Sequence, residues 1–121
     1  MYLNGVQGNA QPYRPVEPPA GTFDYSRIEG ARNNPNVTPE FVREVHAMAE
    51  RLGTRAEYPL AMMSFESGID PSAVNPVSGA TGLIQFMPST AEGRGTSTDA
   101  LRGMSAMEQL QYVEAYLEPF K

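Results

Sequence analysis

Pro12, Pro15, Pro18, Pro19 and Pro35, with Gly5, Gly8, Gly21 and Gly30, punctuate the first 36 residues so densely that no helical or strand period survives there. A packed fold therefore has to come from residues 38–121, and residues 1–37 read as an extended Pro/Gly-rich arm or linker. With 121 residues in all, there is room for one domain and that arm. Tyr2, Tyr13, Phe23 and Tyr25 are scattered along the arm. A purely solvating tail would lack such rings, so two readings stand side by side: a disordered tether, or a segment that orders on a partner's surface.

Beyond Asn36 the pattern turns helical. Thr38 is placed to cap a helix whose first residue is Pro39, where the missing N–H costs nothing. Phe41, Val45, Met48, Ala49 and Leu52 follow at three- and four-residue steps, and Gly53 ends the run. His46 stands one position off that stripe and reads as a surface or boundary residue. A second helix is expected from about Arg55 to Ser67, starting nearer Tyr58 so that Pro59 falls in its first turn. Leu60, Ala61, Met62, Met63 and Phe65 make it apolar nearly all round, which predicts burial on most sides, and Gly68 supplies a left-handed stop. Pro71, Pro76, Gly79 and Gly82 break up the stretch from Asp70 to Met87, whose one apolar run is Leu83-Ile84-Gln85-Phe86. A brief helix then opens at Pro88. The last helix begins at a Ser105/Glu108 capping box, carries Met107, Leu110, Val113 and Leu117 on one face, and stops before Pro119.

Composition removes several chemistries. Nine Lys and Arg against fourteen Asp and Glu give a formal net charge of -5, which argues against a nucleic-acid binder. Cysteine is absent, so thiol catalysis, thiolate-bound zinc and disulfides are excluded. His46 is the only histidine, so no multi-histidine metal site can form. Neither a metal nor a cofactor is expected. No stretch approaches the roughly 20 apolar residues of a membrane span. The opening Met1 to Gln7 has neither the basic nor the apolar region of a Sec signal.

Glu66 is the candidate for chemistry. It closes the most apolar helix, beside Phe65 and near Met63. The helix macrodipole disfavours an anion there, and apolar walls penalise the charged form. Both effects favour a carboxyl group able to donate a proton to a departing oxygen. The plain alternative is an exposed, solvated glutamate at a helix end.

The neighbourhood adds a pattern. Glu66-Ser67-Gly68 is followed by Asp70-Pro71-Ser72-Ala73-Val74-Asn75-Pro76, then by Ser78-Gly79-Ala80-Thr81-Gly82-Leu83-Ile84-Gln85-Phe86-Met87-Pro88-Ser89-Thr90-Ala91. This string, from about Leu60 to Ala91, resembles the lytic transglycosylases of the lysozyme superfamily. That family carries a Glu-Ser pair at a helix end, a Gly-Leu-(Met or Ile)-Gln segment, and Pro-x-Thr-Ala opening a helix. The resemblance implies a mainly α (α+β) lysozyme-like domain with a small irregular β element around residues 70–87. It also implies a peptidoglycan glycan strand as substrate and Glu66 as general acid, then base. Ser67 would bind substrate or orient the carboxyl group. Gly82 and Gly79 would bring backbone close to a sugar chain. Gln85 would offer a donor and an acceptor, with backbone groups around Ile84 and Met87 beside it. Taken singly, each glycine is as well explained by a turn, Leu83, Ile84 and Phe86 by core packing, and Asn75 by turn chemistry.

No second carboxylate is supplied by the spacing: Asp70 reads as a turn or cap, and nothing requires Glu92 or Asp99 to approach. The resemblance then implies assistance by the sugar's own N-acetyl oxygen and a 1,6-anhydromuramoyl product. Hydrolysis by a muramidase and a non-catalytic structural or wall-binding module remain the alternatives. In the family the domain continues past the helix begun by Ser105 and adds an aromatic and polar wall. This chain stops at Lys121, soon after Tyr112 and Tyr116, which read as packing residues, so a domain truncated at its C-terminal end is expected. Without a Sec signal, delivery across the inner membrane falls to a phage virion, through its tail or capsid, or to a secretion apparatus. The arm would be the contact with those proteins, and the site of action the bacterial periplasm.

Overall fold

The computed structural model describes residues 28–120, so most of the expected arm lies outside the described residues. Five α-helices are described: α1 (Pro39–Leu52), α2 (Glu57–Ser67), α3 (Pro88–Gly93), α4 (Thr98–Arg102) and α5 (Ala106–Leu117). Short 3-10 turns lie at Glu29–Ala31 and Glu118–Phe120.

Helix α1 forms as its pattern dictates. Thr38 Oγ1 accepts a hydrogen bond from Phe41 N–H at 3.1 Å, Pro39 sits in the first turn, and Gly53 closes the helix at φ +74°. Phe41, Val42, Val45, Met48, Ala49 and Leu52 are all buried. They pack largely against α5, which opens with the expected box: Ser105 Oγ accepts from Glu108 N–H at 3.1 Å, and Glu108 Oε1 accepts from Ser105 N–H at 2.9 Å. The Arg51 guanidinium joins the two helices outside the core, donating to both carboxylate oxygens of Glu114 at 2.9 and 2.7 Å and to Glu44 at 3.0 Å.

The buried stripe of α5 is Ala106, Gln109, Leu110, Val113 and Leu117. Met107, expected on that face, is exposed. A stripe at 106, 109, 110, 113 and 117 follows the helical period more closely and admits one polar residue, Gln109.

Helix α2 departs further from expectation. Pro59 lies in its first turn, but only Pro59, Leu60 and Met63 are buried, while Ala61 is exposed and Phe65 is 87% exposed. The expected burial on most sides is therefore corrected. α1 and the Glu29–Ala31 turn cover one flank, and the flank carrying Ala61 and Phe65 faces outward.

Between α2 and α3 the chain is irregular. Its β content is two isolated antiparallel bridges, Val74 with Thr81 and Thr81 with Phe86. Thr81 is buried between them, and Leu83, Ile84 and Phe86 all turn into the core. The arrangement is mainly helical with almost no strand, a lysozyme-like fold.

The packed region also begins before Thr38. Ala31 and Val37 are buried, and Ile28 packs against the core. Residues 28–37, assigned to the arm by the sequence pattern, are part of the domain's packing.

Candidate active site

Two local structures meet at the candidate site: the end of α2 and the turn Thr81 to Met87. Helix α2 ends at Gly68, φ +69°, whose N–H returns to the Ser64 carbonyl at 2.8 Å, while Ile69 N–H returns to Met63 at 3.1 Å. The first of these is the 5→1 bond of a left-handed helix stop. Ile69 is also left-handed, at φ +56°, and fully buried. Left-handed backbone is rare for a β-branched residue, so the surroundings must hold it there.

Glu66 lies on this last turn. It is exposed, and its carboxylate has no hydrogen bond or ion pair to other described residues. The apolar enclosure expected around it is not formed by the described residues: Met63 points into the core and Phe65 points out.

Ser67 has a different place. Its Oγ donates to the Leu83 carbonyl at 2.8 Å and to Met63 at 3.2 Å, and accepts from Asp70 N–H at 3.1 Å. The hydroxyl is thus engaged with backbone on three sides, joining the end of α2 to the 81–87 turn.

That turn is fixed from its other side by Gln109. Gln109 is fully buried; its Oε1 accepts from Leu83 N–H at 2.9 Å, and its Nε2 donates to Pro71 at 2.7 Å and to Leu101 at 2.8 Å. The Leu83 residue is therefore held at its N–H by α5 and at its carbonyl by α2. Gly82 is needed for this contact, because at φ +93° a Cβ there would lie 2.6 Å from Gln109 Oε1. Gly79 (φ +80°) turns the chain beside Pro88.

Beyond Leu83, Ile84 is buried, while Met87 is exposed at the start of α3. Gln85 adopts φ +57° and is half-buried. Its Nε2 donates to Ala73 and Gly82 carbonyls, both at 3.1 Å. The amide N–H groups of Gln85 thus serve its own loop, and its carbonyl oxygen is the group left for a further partner.

Of the three carboxylates the sequence left open, two are engaged locally. Asp70 Oδ1 accepts from the N–H and hydroxyl of Ser72, both at 2.9 Å, the turn expected of it. Asp99 pairs with Arg102 on α4, and Glu92 is exposed on α3. Among the described residues no group of three or more His, Cys, Asp or Glu is placed to hold a metal, and no helix is long and apolar enough to cross a membrane.

Gln109 was not singled out by sequence reasoning. Its signal was there: it stands in register with Ala106 and Val113, a polar side chain on an otherwise apolar stripe.

A short mainly helical domain with a glutamate on the last turn of α2, tied by its neighbouring serine to a Gly-Leu-Ile-Gln turn, belongs to the lysozyme-like class. Residues 44–113 match the family model described as the Transglycosylase SLT domain, and the chain belongs to that family. No curated protein and no solved structure matches the chain significantly. Membership implies a peptidoglycan substrate and cleavage of glycosidic bonds by transglycosylation.

Proposed function

We propose that the domain cleaves the β-1,4 bond between N-acetylmuramic acid and N-acetylglucosamine in peptidoglycan, with Glu66 as general acid and then base. The observation that carries this is the Ser67–Leu83 bond of 2.8 Å, which ties the turn bearing Glu66 to the turn bearing Ile84, Gln85 and Met87. In a transglycosylase-family domain, that link supports reading Glu66 as a proton donor and the 81–87 turn as a sugar-binding edge.

Glu66 protonates the oxygen leaving the muramic-acid C1. The 2-N-acetyl oxygen bonds to C1 as that C–O bond breaks, so one carboxylate suffices where two-carboxylate glycosidases use a pair. Glu66, now a carboxylate, takes the proton of the C6 hydroxyl as its oxygen displaces the acetamido oxygen at C1. The product is a 1,6-anhydromuramoyl end, and Glu66 is returned protonated. Glu66 is exposed and has no ion pair with another described residue, as suits a residue that meets a polymer. Gln85 Oε1, the backbone of Ile84 and Met87, and the close backbone approach at Gly82 form the binding edge. Ser67 positions that edge from within.

The exposure of Glu66 favours a second reading, a wall-binding module without turnover.

Glu66→Gln decides between the two readings. Loss of a general acid costs about 10²–10⁴ in rate, and an exposed side chain can be exchanged without disturbing the fold. Clearing of purified peptidoglycan is expected to stop, with sacculus binding and the circular dichroism spectrum unchanged. Product masses from the wild-type chain should show anhydro ends, with reducing ends as the signature of hydrolysis. A wild-type chain that binds sacculi and releases nothing ends the catalytic reading.

A further inference from the structure

Residues 28–37 reach the end of α2 from outside the stretch matched by the family model. The Glu29–Ala31 turn packs on α2. Gly30 N–H donates to Ser64 Oγ at 2.8 Å, and a Cβ on Gly30 would lie 2.5 Å from that oxygen, so backbone rests directly on the helix. Asn34 Nδ2 donates to the carbonyls of Gly68 at 2.9 Å and Ile69 at 3.3 Å, and Asn36 Nδ2 donates to Ile69 at 3.3 Å. Those carbonyls come directly after Glu66 and Ser67. They belong to the two consecutive left-handed residues, Gly68 and Ile69. Left-handed backbone is unfavourable for a β-branched residue such as Ile69, so the turn needs outside support to stay as it is. Its N–H groups are held from α2 and its carbonyls by the two asparagine amides. Asn34 is itself aimed: its Oδ1 accepts from Asn36 N–H at 2.8 Å, closing a turn, and its Nδ2 also donates to Gly30 at 2.8 Å.

We infer that Asn34 is a positioning residue for Glu66: its amide fixes the turn that ends α2, and so the direction from which the carboxyl group meets the substrate. This rests on the catalytic reading of Glu66. A catalytic group displaced by about 1 Å can lose much of its rate while binding is kept.

Asn34→Asp separates the residue's two jobs. The new carboxylate keeps the oxygen that accepts from Asn36 N–H and loses the donated bonds to Gly30, Gly68 and Ile69. In the full chain, amide hydrogen exchange at Gly68 and Ile69 is expected to quicken about tenfold, with Val45 and Met48 unchanged. On purified peptidoglycan, kcat is expected to fall about tenfold with KM unchanged. Acidification protonates the introduced carboxyl group and restores one donor, so part of the loss relative to wild type at the same pH should return. Asn34→Ala should show the loss without that recovery. Unchanged exchange at Gly68 and Ile69 in both variants overturns the inference. So does quickened exchange with kcat intact, or a rise in KM alone. If the wild-type chain does not cleave, or Glu66→Gln cleaves equally well, the catalytic reading fails. The exchange measurement then decides by itself whether Asn34 holds the turn.

Discussion

Ser67 Oγ donates to the Leu83 carbonyl at 2.8 Å while accepting from Asp70 N–H at 3.1 Å, so one hydroxyl joins two turns that are 16 residues apart in sequence. Gln109 holds the second of these turns from its other side and Asn34 the first. The Glu-Ser pair thus divides its labour: one side chain faces solvent and the other faces the fold.

Ser67→Ala removes a donor to a buried residue and an acceptor for Asp70. Loss of one partner of a buried hydrogen bond costs about 1–3 kcal/mol. Thermal unfolding should register that loss, and peptidoglycan clearing should fall as the 81–87 turn loosens. Unchanged clearing would mean that Ser67 does not set the binding edge.

Gln109→Leu strands Leu83 N–H and the Pro71 carbonyl in the interior and leaves the Leu101 carbonyl with its bond from Met104 N–H. The expected loss is about 3 kcal/mol or more, read by denaturant unfolding. Gln109→Glu keeps the acceptor for Leu83 but sets a carboxylate against two carbonyl oxygens. That variant should be the less stable of the two near neutral pH and should recover in acid, where the group regains a proton to donate.

Gly82→Ala meets two obstacles, a left-handed backbone and a Cβ 2.6 Å from Gln109 Oε1. Together they should cost about 2 kcal/mol or more. Combining it with Gln109→Ala relieves the clash but not the backbone strain, so stability should not return to the level of the Gln109→Ala single variant.

Arg51 is held above its ordinary range by hydrogen bonds to Glu114 first and to Glu44 second. A raised folded-state value means a contribution fully present below the unfolded value and lost only as pH rises through the folded one. No change is therefore expected between about pH 7 and pH 9. The guanidinium is half exposed, so the contribution is screened. Arg51→Ala should lower Tm slightly at both pH values, and the difference should shrink at about 1 M salt.

Much of this was legible in advance. The α1 stripe, the caps at Thr38 and Ser105, the stop at Gly68 and the inward turn of Leu83, Ile84 and Phe86 are local consequences of period and chain chemistry. The position of Glu66 at a helix end followed too. What escaped depends on neighbours distant in sequence. The composition of α2 does not say which side is covered, so Phe65 was expected inside and lies outside. Gln85 was assigned to a ligand, but its amide satisfies two carbonyls of its own loop. Asn34 and Asn36 look like turn residues in sequence. Their role appears only when the end of α2 is folded against them.

The contacts of residues 28–37 also decide where the polypeptide can be trimmed. A version beginning at residue 38 would discard Ile28, Ala31 and Val37 from the packed interior, together with the amides on Gly68 and Ile69. It would contain the whole family-matched stretch and still lack part of what shapes the end of α2 that carries Glu66. A version beginning at residue 28 keeps those contacts, so the smallest autonomous unit is larger than the span that identifies it.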